Sequence, residues 1–156
     1  MNNRGFTLTE VLVVITLIGI LSAIATFEFS KYTTKSSIEN QTKLLYGDLM
    51  EYRIKALYEK RNWTFKIAAG GASYGIYSSA ETSVAPVSTV TLKHPVTFYA
   101  TTIKFDSYGV ITGIGSVCAA GENSAAVDSI VVSMSMVRIG KRKEGETCVA
   151  DKIDAK

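Results

Sequence analysis

Gly5-Phe6-Thr7-Leu8-Thr9-Glu10-Val11-Leu12-Val13-Val14 decides how the rest of the chain is read. A carboxylate stands at the head of an apolar run, Val11 to Phe27, that carries no charge. Of all the charged residues, only Arg4 and Glu10 precede Glu28. As a helix, Phe6 to Phe27 would measure about 33 Å, enough to span a hydrocarbon core of about 30 Å. Arg4 marks the end expected to stay cytoplasmic. Two readings of this start compete. The basic leader, the apolar stretch and Ala23-Ile24-Ala25 also match a secretory signal cleaved after Ala25. Glu10 favours a helix that is kept, because a carboxylate near the bilayer end of a span costs about 1–3 kcal/mol and is retained for function. Its place in the first helical turn, where the macrodipole favours it by about 0.3–1 kcal/mol, explains tolerance but supplies no need for it.

Working outward, the 156 residues are within the range of one domain. With 12 Gly, 2 Pro and 2 Cys, the collagen-like, disordered and disulfide-dense classes are excluded. A formal charge of +3 is too small for nucleic-acid binding by bulk electrostatics. The single histidine, His94, and two well-separated cysteines leave little for a metal site or a nucleophile–base pair. No Gly-rich phosphate loop, metal-ligand spacing or Ser/His/Asp set occurs, so the chain reads as no enzyme, with no cofactor.

The helical period continues past the apolar run. Ile38, Thr42, Leu45, Leu49, Tyr52 and Ala56 alternate at spacings of four and three, one face of an amphipathic helix. Lys35, Glu39, Lys43, Asp48, Glu51, Lys55 and Glu59 fall on other faces, and Glu51–Lys55 has helix-supporting spacing. Asn62 is the expected stop. One helix from Phe6 to Arg61 would run about 80 Å, too long for a single head to cover. Its first half therefore needs membrane or other subunits, and its second half packs on the head. From Trp63 the period becomes two. Trp63 to Ile67 and Tyr74 to Tyr77 read as a hairpin across Ala68 to Ser73, and Ser79 to Val87 as a loop. Val87 to Lys93, Val96 to Tyr99, Ile103 to Phe105, Val110 to Ile114, Ser129 to Met136 and Val137 to Lys141 follow as strands. The predicted class is α+β: a long N-terminal transmembrane and amphipathic helix packed on an antiparallel sheet of about six to eight short strands.

Gly5, Phe6 and Glu10, with Gly19 inside the apolar run, resemble the processing site of type IV prepilins and pseudopilins. The resemblance implies a pilin-like fold, cleavage after Gly5 by a prepilin peptidase, and N-methylation of the new terminal Phe6. It also implies assembly with other pilins or pseudopilins, and it gives Glu10 a purpose. Phe6 would carry an ammonium about 6 Å below Glu10 along the helix axis. With neighbouring helices staggered, Glu10 of one subunit meets the Phe6 amine of the next. Such a pair selects register, since leaving one partner alone costs about 3–5 kcal/mol. The chain departs from the family in one respect. Phe27 stands where a proline often kinks the helix, so any melting would rely on Gly19 or on Ser22 to Thr26. Arg53 to Asn62, Ile103 to Gly109 and Ile130 to Ile139 resemble H-type pseudopilins of type II secretion and their minor-pilin relatives, without the Gly-Arg pair common before the last strand.

The resulting division is a leader 1–5, a transmembrane and filament-core helix 6–27, a helix continuation 28–62 and a β-rich head 63–156. The resemblance implies a minor pilin anchored in the inner membrane with its head in the periplasm, then a periplasmic or surface filament. An H-type pseudopilin, a major pilin and a signal-cleaved periplasmic binding module are the alternatives. Export would place Cys118 and Cys148 in an oxidising space, where a disulfide would contribute about 3–4 kcal/mol; two buried thiols are the alternative. Lys141-Arg142-Lys143 reads as a solvated turn, or more sharply as an exposed tip for DNA phosphates.

Overall fold

The computed structural model describes residues 7–155. They fall into two compact units, divided after Thr34. Helix α1 (Leu8–Glu59) begins in the first unit and continues into the second.

In the first unit every described residue is exposed. The polar groups of its apolar run are spent locally. The Thr16 hydroxyl donates to the Leu12 carbonyl and the Thr26 hydroxyl to Ser22, each at 2.8 Å. Such back-bonding hides a hydroxyl in the helix's own backbone. The run ends in a charged and aromatic border. Lys31 lies 4.2 Å from the Phe27 ring centre and 3.2 Å from Glu28, with Phe29 and Tyr32 exposed nearby.

In the second unit the expected seam forms. Ile38, Thr42, Leu45, Leu49 and Ala56 are buried, and Tyr52 packs half-buried against the core. The helix stops two residues before the expected Arg61, because Lys60 takes the left-handed conformation at φ 53°. A left-handed residue just past the last turn ends a helix, a place usually held by Gly.

Ten strands follow: β1 (Trp63–Ile67), β2 (Ser73–Tyr77), β3 (Ser88–Thr91), β4 (Val96–Phe98), β5 (Thr102–Phe105), β6 (Ile111–Thr112), β7 (Gly115–Ala119), β8 (Ser129–Val132), β9 (Val137–Arg142) and β10 (Ile153–Ala155). They form two antiparallel five-stranded sheets, not the single sheet of six to eight strands expected. One has the order β3-β2-β1-β5-β6 and the other β10-β9-β8-β7-β4. The expected hairpin is present, with Phe65 opposite Ile76. Gly71 in its turn has φ 70°, and a Cβ there would lie 1.8 Å from the Val96 carbonyl oxygen. The expected Val110–Ile114 strand breaks at Gly113, φ 86°, where a Cβ would sit 2.3 Å from the Thr102 carbonyl oxygen. There the chain leaves one sheet and enters the other as β7.

A single core joins helix and sheets. Leu45, Leu49 and Ala56 meet Phe65, Ile76 and Phe105 of one sheet and Val117, Ile130 and Val137 of the other. Burying each large aliphatic side chain contributes about 1.5–3 kcal/mol. Tyr52 adds an aromatic hinge, 4.7 Å from Trp63 and 5.4 Å from Phe65 between ring centres. Polar ties fix the helix on the strands. Gln41 Nε2 donates to the His94 carbonyl at 2.6 Å while the His94 amide donates back at 2.9 Å. The Tyr74 hydroxyl donates to Asp48, and burial beside that carboxylate pushes the phenol well above its ordinary range. Arg53 donates through Nε to the Gly109 carbonyl at 3.0 Å and through Nη2 to Ser135 at 2.7 Å.

Candidate functional site

Glu10 lies in the first turn of α1, and Thr7 immediately precedes the helix. The Thr7 amide and hydroxyl both donate to Glu10 Oε2, each at 2.9 Å, and the Glu10 amide donates back to the Thr7 oxygen at 3.2 Å. This is a reciprocal capping box, which satisfies two amides that the start of a helix would otherwise leave bare. It also sets a negative charge over the positive end of the helix dipole. Glu10 is thus both tolerated and held, with its carboxylate fixed by two donors from its own chain. A reading for charge passes over Thr7, the partner of Glu10 in this box. Its signal is the Thr-x-x-Glu spacing of Thr7-Leu8-Thr9-Glu10. Gly5 and Phe6, the expected cleavage and methylation positions, lie outside the described residues.

The helix that follows has the length and composition to cross a membrane. Gly19 is open on all sides, with nothing within 4 Å of where a Cβ would be.

In the second unit Cys118 and Cys148 form a disulfide, their Cα atoms 5.9 Å apart. The bridge ties the carboxyl tail to the outer side of β7. Beside it the Ser116 hydroxyl donates to the Cys148 carbonyl at 2.7 Å, and β10 pairs with β9.

The basic run Lys141-Arg142-Lys143, expected as a solvated turn or a phosphate-binding tip, is partly tied to the head. Its reason is Asp128, 2% exposed, which needs a counter-charge. Lys141 Nζ donates to Asp128 Oδ2 at 2.8 Å and to the Asn123 carbonyl at 2.8 Å. The Arg142 amide donates to Asp128 Oδ1 at 2.9 Å and the Ser129 hydroxyl at 2.6 Å. The Arg142 guanidinium donates to the Gly121 carbonyl at 2.6 Å. Lys143 faces Asp154 at 3.7 Å, both well exposed. Burial alone would raise the Asp128 carboxyl, but the Arg142 amide, Lys141 and Ser129 together hold it below the ordinary carboxylate range. His94 Nε2 lies 3.0 Å from the Ser37 hydroxyl, a helix-to-loop contact. Among the described residues, no group of three or more His, Cys, Asp or Glu side chains is placed to hold a metal ion.

Residues 1–26 match the family described as the prokaryotic N-terminal methylation motif. No curated protein sequence matches the chain. Among solved structures, the chain is similar to the type IV minor pilin FimU of Pseudomonas aeruginosa strain PAO1. The identity is 14%, the match covers 70% of this chain and 92% of that one, and the TM-score is 0.56. At that identity the likeness is one of fold.

Proposed function

We propose that this type IV pilin-like chain is a minor pilin: a structural subunit cleaved after Gly5, N-methylated at Phe6 and built into a type IV pilus through its N-terminal helix. One observation carries the reading, namely an N-terminal methylation motif and a pilin fold in the same chain. Pilins are structural subunits rather than enzymes. In this reading residues 1–5 are the leader, and residues 6–27 cross the inner membrane before entering the filament. Residues 28–62 continue the helix, and residues 63–156 form the periplasmic head. A prepilin peptidase processes the chain, and other pilins are its neighbours.

The chemistry of Glu10 supports this. Cleavage would leave an ammonium on Phe6, one helical turn below a carboxylate that Thr7 already holds at the helix start. Both charges are costly in an apolar filament core. A neighbour whose axial shift brings its Phe6 ammonium to this carboxylate removes both costs. Other shifts strand a charge at about 3–5 kcal/mol, so the pair acts on register.

Glu10→Leu should be cleaved and inserted like the wild type yet be missing from sheared fibres on an immunoblot. Incorporation at the wild-type level would refute the role. Sequencing the mature amino terminus should give methylated Phe6, whereas a secretory signal would give Thr26. Recovery from sheared surface pili separates a minor pilin from an H-type pseudopilin, which would stay with a secretion machine.

A further inference from the structure

The outer face of the second sheet is only partly covered. The tail crosses it from Cys148, bridged to Cys118 in β7, to β10 beside β9. Under that crossing Cys118, Val131 and Ile153 form a small buried cluster. Beside it the face stays open as a groove of about 720 Å³. Pockets that hold ligands measure about 300–1,000 Å³. The floor is the row Ser116, Val131 and Arg138, paired across β7, β8 and β9 on the side away from the core. Tyr99, whose amide donates to the Ser116 carbonyl at 2.9 Å, lengthens the row at the β4 edge. Val149 to Asp151 of the tail make the wall.

The lining states what would fill it. Tyr99, Ile114 and Met134 form the rim and are 71%, 52% and 67% exposed. Large apolar side chains gathered in water mark a contact surface, and a flexible methionine adapts to what it meets. The Ser116 hydroxyl is spent on the Cys148 carbonyl and the Ser133 hydroxyl on Met136. Two charges are left, Arg138 and Asp151, and neither has an ion-pair partner within 4 Å among the described residues. A fatty acid would answer Arg138 and leave Asp151 bare. A peptide with one acidic and one basic side chain answers both. From β9 to Tyr99 the row crosses three inter-strand spacings, about 14 Å, which is the length of four or five extended residues.

We propose that this groove binds an extended, mainly apolar peptide segment that brings a carboxylate to Arg138 and an ammonium to Asp151. The proposal goes beyond the filament reading and does not depend on it. The full-length chain in phosphatidylcholine nanodiscs, labelled with carbon-13 at the methionine methyls, tests it by NMR. The probe is acetyl-Glu-Val-Leu-Ala-Lys-amide, and its neutral counterpart is acetyl-Gln-Val-Leu-Ala-Gln-amide. The charged probe should move the Met134 methyl saturably and leave that of Met50, packed between helix and core, in place. It should bind about fivefold tighter than the neutral one, as two exposed ion pairs allow. Arg138→Gln with Asp151→Asn, both on the surface, should bind the two peptides equally, with disulfide formation on a non-reducing gel reporting the fold. A Met134 signal that does not move would overturn the proposal. Equal affinity of the wild type for the two peptides would do the same, as would a response to dodecanoate alone, which would make the occupant a lipid.

Discussion

Asp128→Asn isolates the contribution of the buried carboxylate without changing its shape. The wild-type side chain accepts three donors: Ser129 Oγ at 2.6 Å, Lys141 Nζ at 2.8 Å and the Arg142 amide at 2.9 Å. An asparagine keeps one acceptor oxygen but turns an amide toward the Lys141 ammonium. Removing one member of a buried pair costs about 3–5 kcal/mol. The Lys141 side chain is 35% exposed and can partly rehydrate, which brings the cost below that range, to about 2–3 kcal/mol. For a domain of this size each kcal/mol moves Tm by about 3–4 °C, giving a drop of about 10 °C. The pH dependence gives an independent check. The folded carboxyl is held below its ordinary range, so its stabilisation is complete above the unfolded value of about 3.9 and is lost as pH falls through the folded one. Thermal melts of the detergent-solubilised full chain, followed by near-UV circular dichroism at pH 7, 5 and 3, read both effects. The gap between wild type and Asp128→Asn should be wide at pH 7 and 5 and should narrow by pH 3. Equal Tm values at pH 7, or a gap unchanged in acid, would refute the reasoning.

Replacing Cys118 and Cys148 together by serine should cost about 3–4 kcal/mol, read as a lower urea midpoint that reductant no longer affects. An unchanged midpoint would show that the tail is held by β10 pairing alone. Thr7→Val removes the hydroxyl on both sides of the capping box and should destabilise the helix start by about 1 kcal/mol. Hydrogen exchange in detergent should then show faster exchange of the Leu8 to Val11 amides, with Thr7→Ser close to wild type. Equal exchange in Thr7→Val and wild type would mean the box adds nothing.

The parts of this chain that follow a strong period are legible in its sequence. The seam from Ile38 to Ala56 repeats every three or four residues, and each large apolar member is buried or packed on the core. The β1–β2 hairpin follows from clean alternation around the glycine turn. The second sheet is not legible, because the switch between sheets takes only Gly113 and Ile114, too few residues for any pattern. β10 is equally hidden: Ile153-Asp154-Ala155 is too short for its alternation to mark a strand, and the disulfide and β9 hold it in place. At the site, the weight of Glu10 is readable from the charge-free run around it. The network of Asp128 is not, since Lys141 lies thirteen positions further along and only folding brings them together.

Arg53 has a mechanical consequence. Gly109 belongs to the turn between β5 and β6, in one sheet, and Ser135 to the turn between β8 and β9, in the other. One guanidinium therefore bolts both sheets to the same helix. In the proposed fibre a subunit would be pulled through that helix, and bolts set in parallel divide the tension between them. The two sheets would then share each tug, and neither could be peeled away while its twin stayed slack.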